Sequence, residues 1–124
     1  MLTLICGIPN AGKTTYSSRY DNVIHYDTYH RNCHICNHAV SRIQGDVCVE
    51  GVYNTIKERK TLLDSVKHQD KKICIWLDTP LEECIEREKN YRKRPIGIVH
   101  AHYRSFEPPT LDEGWDEIIV IKGE

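Results

Sequence analysis

Five short apolar runs divide this chain: residues 2–6, 23–26, 47–49, 73–77 and 118–121. The first, LTLIC, is almost wholly apolar, which predicts a strand buried on both faces. The clearest is ICIWL at 73–77, opened by Lys72 and ended by Asp78-Thr79-Pro80, and the other three read as further strands. Between them lie helix-compatible stretches. Residues 13–20 form the first, and a polar stretch at 28–44 is broken by Gly45-Asp46. Residues 54–69 make a charged helix whose apolar side is Ile56, Leu62, Leu63 and Val66. Pro80 suits the first position of a helix continued by 81–87. A basic run at 87–94 follows, then a helix at 96–106 and a Pro108-Pro109 break. Thr110 and Glu113 have capping-box spacing on one short turn that Gly114 would stop.

Strands and helices alternating at these lengths predict a five-stranded parallel sheet with helices on both faces, a three-layer α/β fold. In such sheets the ligand site lies at the carboxyl ends of the strands. The 124 residues suffice for one domain with one core, and no repeat, low-complexity segment or linker appears.

Directly behind the first strand stands Gly7-Ile8-Pro9-Asn10-Ala11-Gly12-Lys13-Thr14, the G-x-x-x-x-G-K-[ST] spacing of a P-loop. Such a turn aims successive backbone N–H groups into one concavity that a phosphate fills. Gly7 and Gly12 allow backbone conformations that residues with a Cβ resist. Pro9, Asn10, Ala11 and Thr15 complete the loop, Lys13 would reach the β- and γ-phosphates of ATP, and Thr14 would take one position on Mg²⁺. No guanine-reading Asn-Lys-x-Asp motif is present, and the chain is too short for the larger ATPase machines. A kinase is the P-loop class that remains.

Composition refines this picture at three points. No apolar run approaches the roughly 18 residues of a membrane span, and a strand starting at residue 2 leaves no room for a signal peptide, so a cytoplasmic protein with no membrane partner is expected. Of the six cysteines, Cys6, Cys48 and Cys74 lie in strand-like runs as small buried hydrophobes, and reduced thiols are expected. The formal net charge is only −1, but residues 84–106 hold six Lys/Arg against two acids, whereas 107–124 hold six acids and one lysine. A local basic segment suits a phosphate-gripping lid, though a solvated helix face would look the same.

A kinase needs a group to orient the acceptor hydroxyl, a metal site and positive charge over the transferred phosphoryl. Asp27 ends the second strand, where its carboxylate would emerge beside the γ-phosphate and accept the proton of the attacking hydroxyl; it could equally cap the next helix. Glu50 ends the third strand and would hold Mg²⁺ through water or contact the acceptor, or stand as a solvated acid. Arg87, Arg92 and Arg94 are candidates for the lid that neutralises the equatorial oxygens.

The stretch GIPNAGKTT at 7–15, Asp27 within HYDTYHR, and the tail YRSFEPPTLDEGW at 103–115 resemble the kinase domain of polynucleotide 5′-hydroxyl kinases and the phage-type P-loop kinases close to them. The resemblance spans nearly the whole chain. It implies transfer of the ATP γ-phosphate to the 5′-OH of DNA or RNA, with Lys13 and Thr14 in the loop roles, Asp27 activating the acceptor, a lid arginine on the phosphates and the tail near the adenine. His30 stands where the family often has a basic residue touching substrate phosphate, with Arg31 next. The family's Asn three places after the acid of the third strand is matched here by Asn54, four places after Glu50.

Two questions stay open on sequence. His30, Cys33, Cys36 and His38 offer four soft ligands within nine residues, a possible zinc set, although a helix packing its cysteines inward fits the same spacing. The acceptor could also be a small molecule, nucleoside or modified base, and an ATP-binding switch without catalysis would share the P-loop.

Overall fold

In the computed structural model, which describes residues 1–29 and 32–122, five strands form one sheet in the order β2-β3-β1-β4-β5. They are β1 (Leu2–Cys6), β2 (Val23–His25), β3 (Val47–Glu50), β4 (Lys72–Asp78) and β5 (Glu117–Lys122). Every pairing is parallel: Leu4 lies opposite Val49 on one side and Cys74 on the other. β1 is therefore the middle strand, and all its residues are buried, as its apolar sequence predicts.

The pleat sorts its side chains between two apolar layers. Leu2, Leu4 and Cys6 face a cluster with Val47, Val49 and Cys74, which is closed by Cys36 and Val40 of α2 (Cys33–Ser41) and Leu62 and Leu63 of α3 (Ile56–Ser65). Ile5 faces the opposite layer with Cys48, Ile75 and Leu77, closed by Cys84 of α4 (Leu81–Arg87) and Val99 of α5 (Gly97–Ser105). Tyr16 of α1 (Lys13–Ser17) packs on that second layer. Helices on both faces complete the three-layer α/β architecture. Among the described residues, no helix is long and apolar enough to cross a membrane.

Local chemistry moves several element ends. α1 stops at Ser17, where Ser17 and Ser18 hydroxyls turn back to the carbonyls of Thr14 and Thr15 and compete with the helical ladder. β2 stops at His25, so Asp27 lies in a 3₁₀ turn, Tyr26–Tyr29, rather than at the strand end. The stretch at 28–44 is thus not one helix: α2 starts only after Asn32, whose side chain accepts from the His34 and Ile35 N–H groups. α3 is likewise shorter than its amphipathic pattern, entering at a Thr55 cap bonded to the Glu58 N–H. The basic run forms a π-helical turn, Glu88–Arg92, closed by the left-handed Lys93 at φ 58°.

The six cysteines are free thiols, with Cys6 and Cys74 sulfurs 3.7 Å apart across neighbouring strands. Burial raises the Cys48 thiol to about 12, so these groups act as apolar filling.

The capping box at Thr110 and Glu113 is present and has a further role. Glu113 also receives Arg59 of α3 in a two-pronged contact at 2.8 and 3.2 Å, both side chains being excluded from solvent. Arg59 spends its remaining donors on the carbonyls of Tyr53 and Glu107, and the Trp115 indole N–H donates to Glu113. One arginine thereby ties the turn after β3, α3 and the 107–115 tail together. Burial raises the Glu113 pKa, but bonds from Arg59, Thr110 and Trp115 outweigh it and hold the carboxyl below its usual range. Removing one member of a buried pair strands the other's charge. Arg59→Ala is expected to cost about 3–5 kcal/mol in urea unfolding, and Arg59→Met, which keeps volume but not charge, is expected to be rescued by Glu113→Gln.

Candidate functional site

A cavity of about 440 Å³ opens over the carboxyl ends of β1 and β3. The P-loop forms its floor. Gly12 adopts φ 103° and Asn10 φ 70°, the left-handed geometry that lets neighbouring N–H groups converge. A Cβ on Gly7 would come within 2.9 Å of the Leu77 carbonyl, so only glycine lets β1 turn out so close to β4. Gly7 and Ala11 are buried behind the loop and shape it, whereas Pro9, Asn10, Gly12, Lys13, Thr14 and Thr15 line the cavity. The Thr79 hydroxyl at the end of β4 braces the loop by donating to the Ala11 carbonyl at 2.8 Å.

Lys13 bends back to donate to the Ile8 carbonyl at 2.8 Å. Loss of hydration holds its ammonium below the usual lysine range, opposed by Glu50 first among the acids and by Asp27. Both carboxylates line the same cavity, although Asp27 and Glu50 come from different strand–turn units. The Glu50 side chain is 7% exposed and lies 2.8 Å from Nδ1 of His25 on the neighbouring strand. It is therefore not the solvated acid that a strand end also permits. Asp27 is exposed at the cavity wall. Oxygen donors from Thr14, Asp27 and Glu50 around one space are the type that a hard divalent cation selects.

All three candidate lid arginines reach this cavity. The π turn matters here. Its widened i→i+5 bonding, seen in the Lys93 N–H to Glu88 carbonyl contact, places Arg87 and Arg92 about one turn apart. Arg87 donates to the Asn10 carbonyl at 2.8 Å and to Glu83 at 2.7 Å, so its guanidinium already rests on the P-loop. Arg94 is held differently, by a forked contact to Glu88 with its closest approach at 2.7 Å and by its own backbone N–H at 2.8 Å. Arg92 is exposed.

Glu88, and the contact that the loop residue Asn10 makes with it, are what sequence patterns left out. Asn10 donates to Glu88 at 3.0 Å and to the Cys84 carbonyl at 3.2 Å, so Glu88 joins the loop to the lid. Its carboxylate is solvent-inaccessible beneath Arg94 yet lies near the surface, and bonds from Arg94 and then Asn10 lower its pKa to about 2. In the sequence it is one acid in a mixed-charge helix.

His30 and Arg31 lie outside the described residues. In α2, Cys36 packs inward with its sulfur 3.6 Å from the Tyr53 hydroxyl, and burial raises its pKa, which suits a core thiol. His38 is exposed. Among the described residues, no cluster of three or more His, Cys, Asp or Glu is arranged to hold a metal.

The tail divides. Glu107, Glu113 and Trp115 serve the Arg59 cluster, and no residue of 103–115 lines the P-loop cavity. Tyr103, Phe106 and Pro108 instead flank a separate cleft of about 360 Å³ on the outer side of Ile8. A smaller recess of about 210 Å³ adjoins the main cavity through Asp27 and Val52.

No protein-family model and no curated protein sequence matches this chain. Solved structures do. Chaetomium thermophilum Kti12, in complex with ADP-AlF3, superposes with a TM-score of 0.75 at 16% identity, covering 98% of this chain and 89% of that one. A sugar kinase from Janibacter sp. HTCC2649 gives 0.74 at 13% identity, covering 98% and 84%. A gluconokinase from Sinorhizobium meliloti 1021 gives 0.69 at 14% identity, covering 97% and 81%. At these identities the likeness is one of fold: the chain has the α/β fold of P-loop kinases.

Because the folded-state pKa of Glu88 is depressed, the stability it supplies is present above the unfolded glutamate value of about 4.3 and is lost as pH falls toward about 2. Glu88→Gln is therefore expected to lower the melting temperature at pH 7 and to flatten its decline between pH 5 and pH 3, roughly the range set by those values. Thermal melts of the two proteins across that range check it.

Proposed function

We propose that this chain is a kinase that transfers the γ-phosphate of ATP to a hydroxyl, with the 5′-OH end of a polynucleotide as its acceptor. One observation carries the reading: a single cavity gathers the P-loop lysine and threonine, two carboxylates from the ends of neighbouring strand units, and lid arginines. A site that only binds nucleotide does not need a carboxylate facing the γ-phosphate position, so Asp27 favours transfer over a switch.

In this reading the P-loop N–H groups and Lys13 hold the β- and γ-phosphates, and Arg87, already resting on the loop, closes over them. Thr14 would hold Mg²⁺, with Glu50 acting through water; the ion neutralises phosphate charge. Asp27 orients the acceptor hydroxyl and takes its proton as the new O–P bond forms and ADP leaves with the bridging oxygen. Orientation of that hydroxyl is its larger contribution.

The polynucleotide acceptor is supported by the resemblance of the loop, of the Asp27 segment and of the tail. Exposed Arg92 and Lys93 beside the cavity supply cations for a strand's phosphates. The Kti12 complex with ADP-AlF3 and the gluconokinase support a nucleotide in the P-loop cavity. A second acceptor class, a free nucleoside or other small alcohol, is favoured by the compact recess beyond Asp27.

Transfer of labelled γ-phosphate to a 5′-OH oligonucleotide, to nucleosides and to a panel of small alcohols separates these readings. The oligonucleotide is expected to be labelled in a Mg²⁺-dependent way, with kcat/KM falling steeply as salt rises because cations on 87–104 contact phosphates. Lys13→Ala and Asp27→Ala are each expected to lower turnover at least ~100-fold, the latter while retaining ATP binding. ATP binding without transfer to any acceptor would leave only the switch.

A further inference from the structure

The recess beyond Asp27 is built by three stretches distant in sequence. Tyr26 and Asp27 come from the 3₁₀ turn, Val52 and Asn54 from the segment after β3, Glu58 from the first turn of α3, and Ala101, His102 and Ser105 from α5. Its construction is strained. Tyr53 adopts φ 40°, a left-handed conformation that an aromatic residue rarely holds, and this turn delivers Asn54 to the recess. Gly51 is required beside it, because a Cβ there would meet the Tyr26 Cβ at 2.6 Å. The extra residue between Glu50 and Asn54 is thus absorbed as a kink.

Two properties define what fits. Asn54 is 7% exposed, its amide nitrogen donates to the Ser105 hydroxyl, and its side-chain oxygen is buried with no hydrogen-bond partner among the described residues. A buried acceptor left without a donor is costly, so a ligand N–H or O–H would gain there. Among the described residues, the ionisable side chains lining the recess are the acids Asp27 and Glu58, the His102 imidazole and the Tyr26 phenol, with no lysine or arginine. Glu58 accepts the Thr55 hydroxyl at 3.2 Å and still has lone pairs for a further donor. Two carboxylates and an unpaired amide oxygen recognise hydroxyl donors and repel anions. The volume of about 210 Å³ is room for several waters, and hence for one small ring.

We propose that this recess holds the uncharged sugar-like ring that carries the reacting hydroxyl, presenting that hydroxyl to Asp27 at the rim shared with the P-loop cavity. The assignment rests on the kinase reading above and deepens it: the acceptor's phosphates, if it has any, stay outside. The same ring chemistry is offered by a free sugar or nucleoside and by the 5′-terminal unit of a strand.

Amide NMR of the full chain, loaded with a non-hydrolysable ATP analogue, tests the inference with D-ribose, adenosine, a 5′-OH dinucleotide and inorganic phosphate as probes. The neutral rings are expected to shift the Asn54 side-chain amide and the Ala101 and Ser105 resonances, and phosphate to leave them unmoved. Shifts from adenosine and ribose alone identify a free small acceptor; shifts requiring the dinucleotide identify a strand end. Ala101→Phe fills the recess from an exposed helix position. It is expected to abolish those shifts and to raise acceptor KM at least ~10-fold with a smaller change in kcat, while the analogue still shifts the P-loop resonances. Absence of recess shifts with ribose, adenosine and the dinucleotide alike, or an unchanged acceptor KM in Ala101→Phe, overturns the proposal. Recess shifts without phosphoryl transfer to any acceptor would leave the recess standing and remove the kinase reading instead.

Discussion

Parallel pairing of five strands about β1 is the constraint on which everything else in this protein depends. Parallel strands all end at the same edge, so whatever follows each strand is delivered to one place. In this chain those followers are the P-loop after β1, Asp27 after β2, Glu50 at the close of β3 and the Thr79 brace after β4. An antiparallel arrangement would send alternate segments to opposite edges and dissolve the site. The apolar character of Leu2–Cys6 is what allows β1 to lie in the middle, since a central parallel strand has both faces covered.

On that frame, charge is managed by pairing rather than by exposure. Arg59 and Glu113 form a closed buried unit that fixes the tail against α3 and has no part in the cavity. Glu88 is also solvent-inaccessible, but it stands between Asn10 of the loop and Arg94 of the lid. The loop and the lid are therefore mechanically joined by contacts within the protein. Arg87 adds a second joint through the Asn10 carbonyl. The three lid arginines are thus distinct: one rests on the loop, one is held by Glu88, and one is exposed.

Backbone strain concentrates at the same edge of the sheet. Among the described residues, the non-glycine positions with positive φ are Asn10 in the loop, Tyr53 beside the recess beyond Asp27 and Lys93 at the end of the π turn. Each costs on the order of 1–3 kcal/mol and is kept only where the surroundings over-determine it.

The sheet, the P-loop and the convergence of Lys13, Thr14, Asp27 and Glu50 were legible in the sequence because they rest on local rules: apolar runs make strands, glycine spacing makes a phosphate loop, and a residue at the end of a parallel strand faces the ligand edge. Element ends were less so, because serine hydroxyls at its end cut α1 short, β2 gives way to a 3₁₀ turn at Tyr26, and α2 starts only where Asn32 caps it. The Thr110–Glu113 capping box was legible, but the pairing of Glu113 with Arg59 was not, since an arginine in a charged helix and an acid in a tail look solvated until a fold excludes water from both. That Glu107, Glu113 and Trp115 of the tail would gather around Arg59 was hidden for the same reason. Glu88 and the recess at Asn54 depend on residues far apart in the chain meeting in three dimensions. The sequence by itself determined what kind of ligand the loop is made for, because backbone N–H geometry is written in a short local pattern. Which arginine lies on that loop, and which segments enclose the space beyond Asp27, only the tertiary structure decided, because those properties belong to contacts between segments and not to any segment alone.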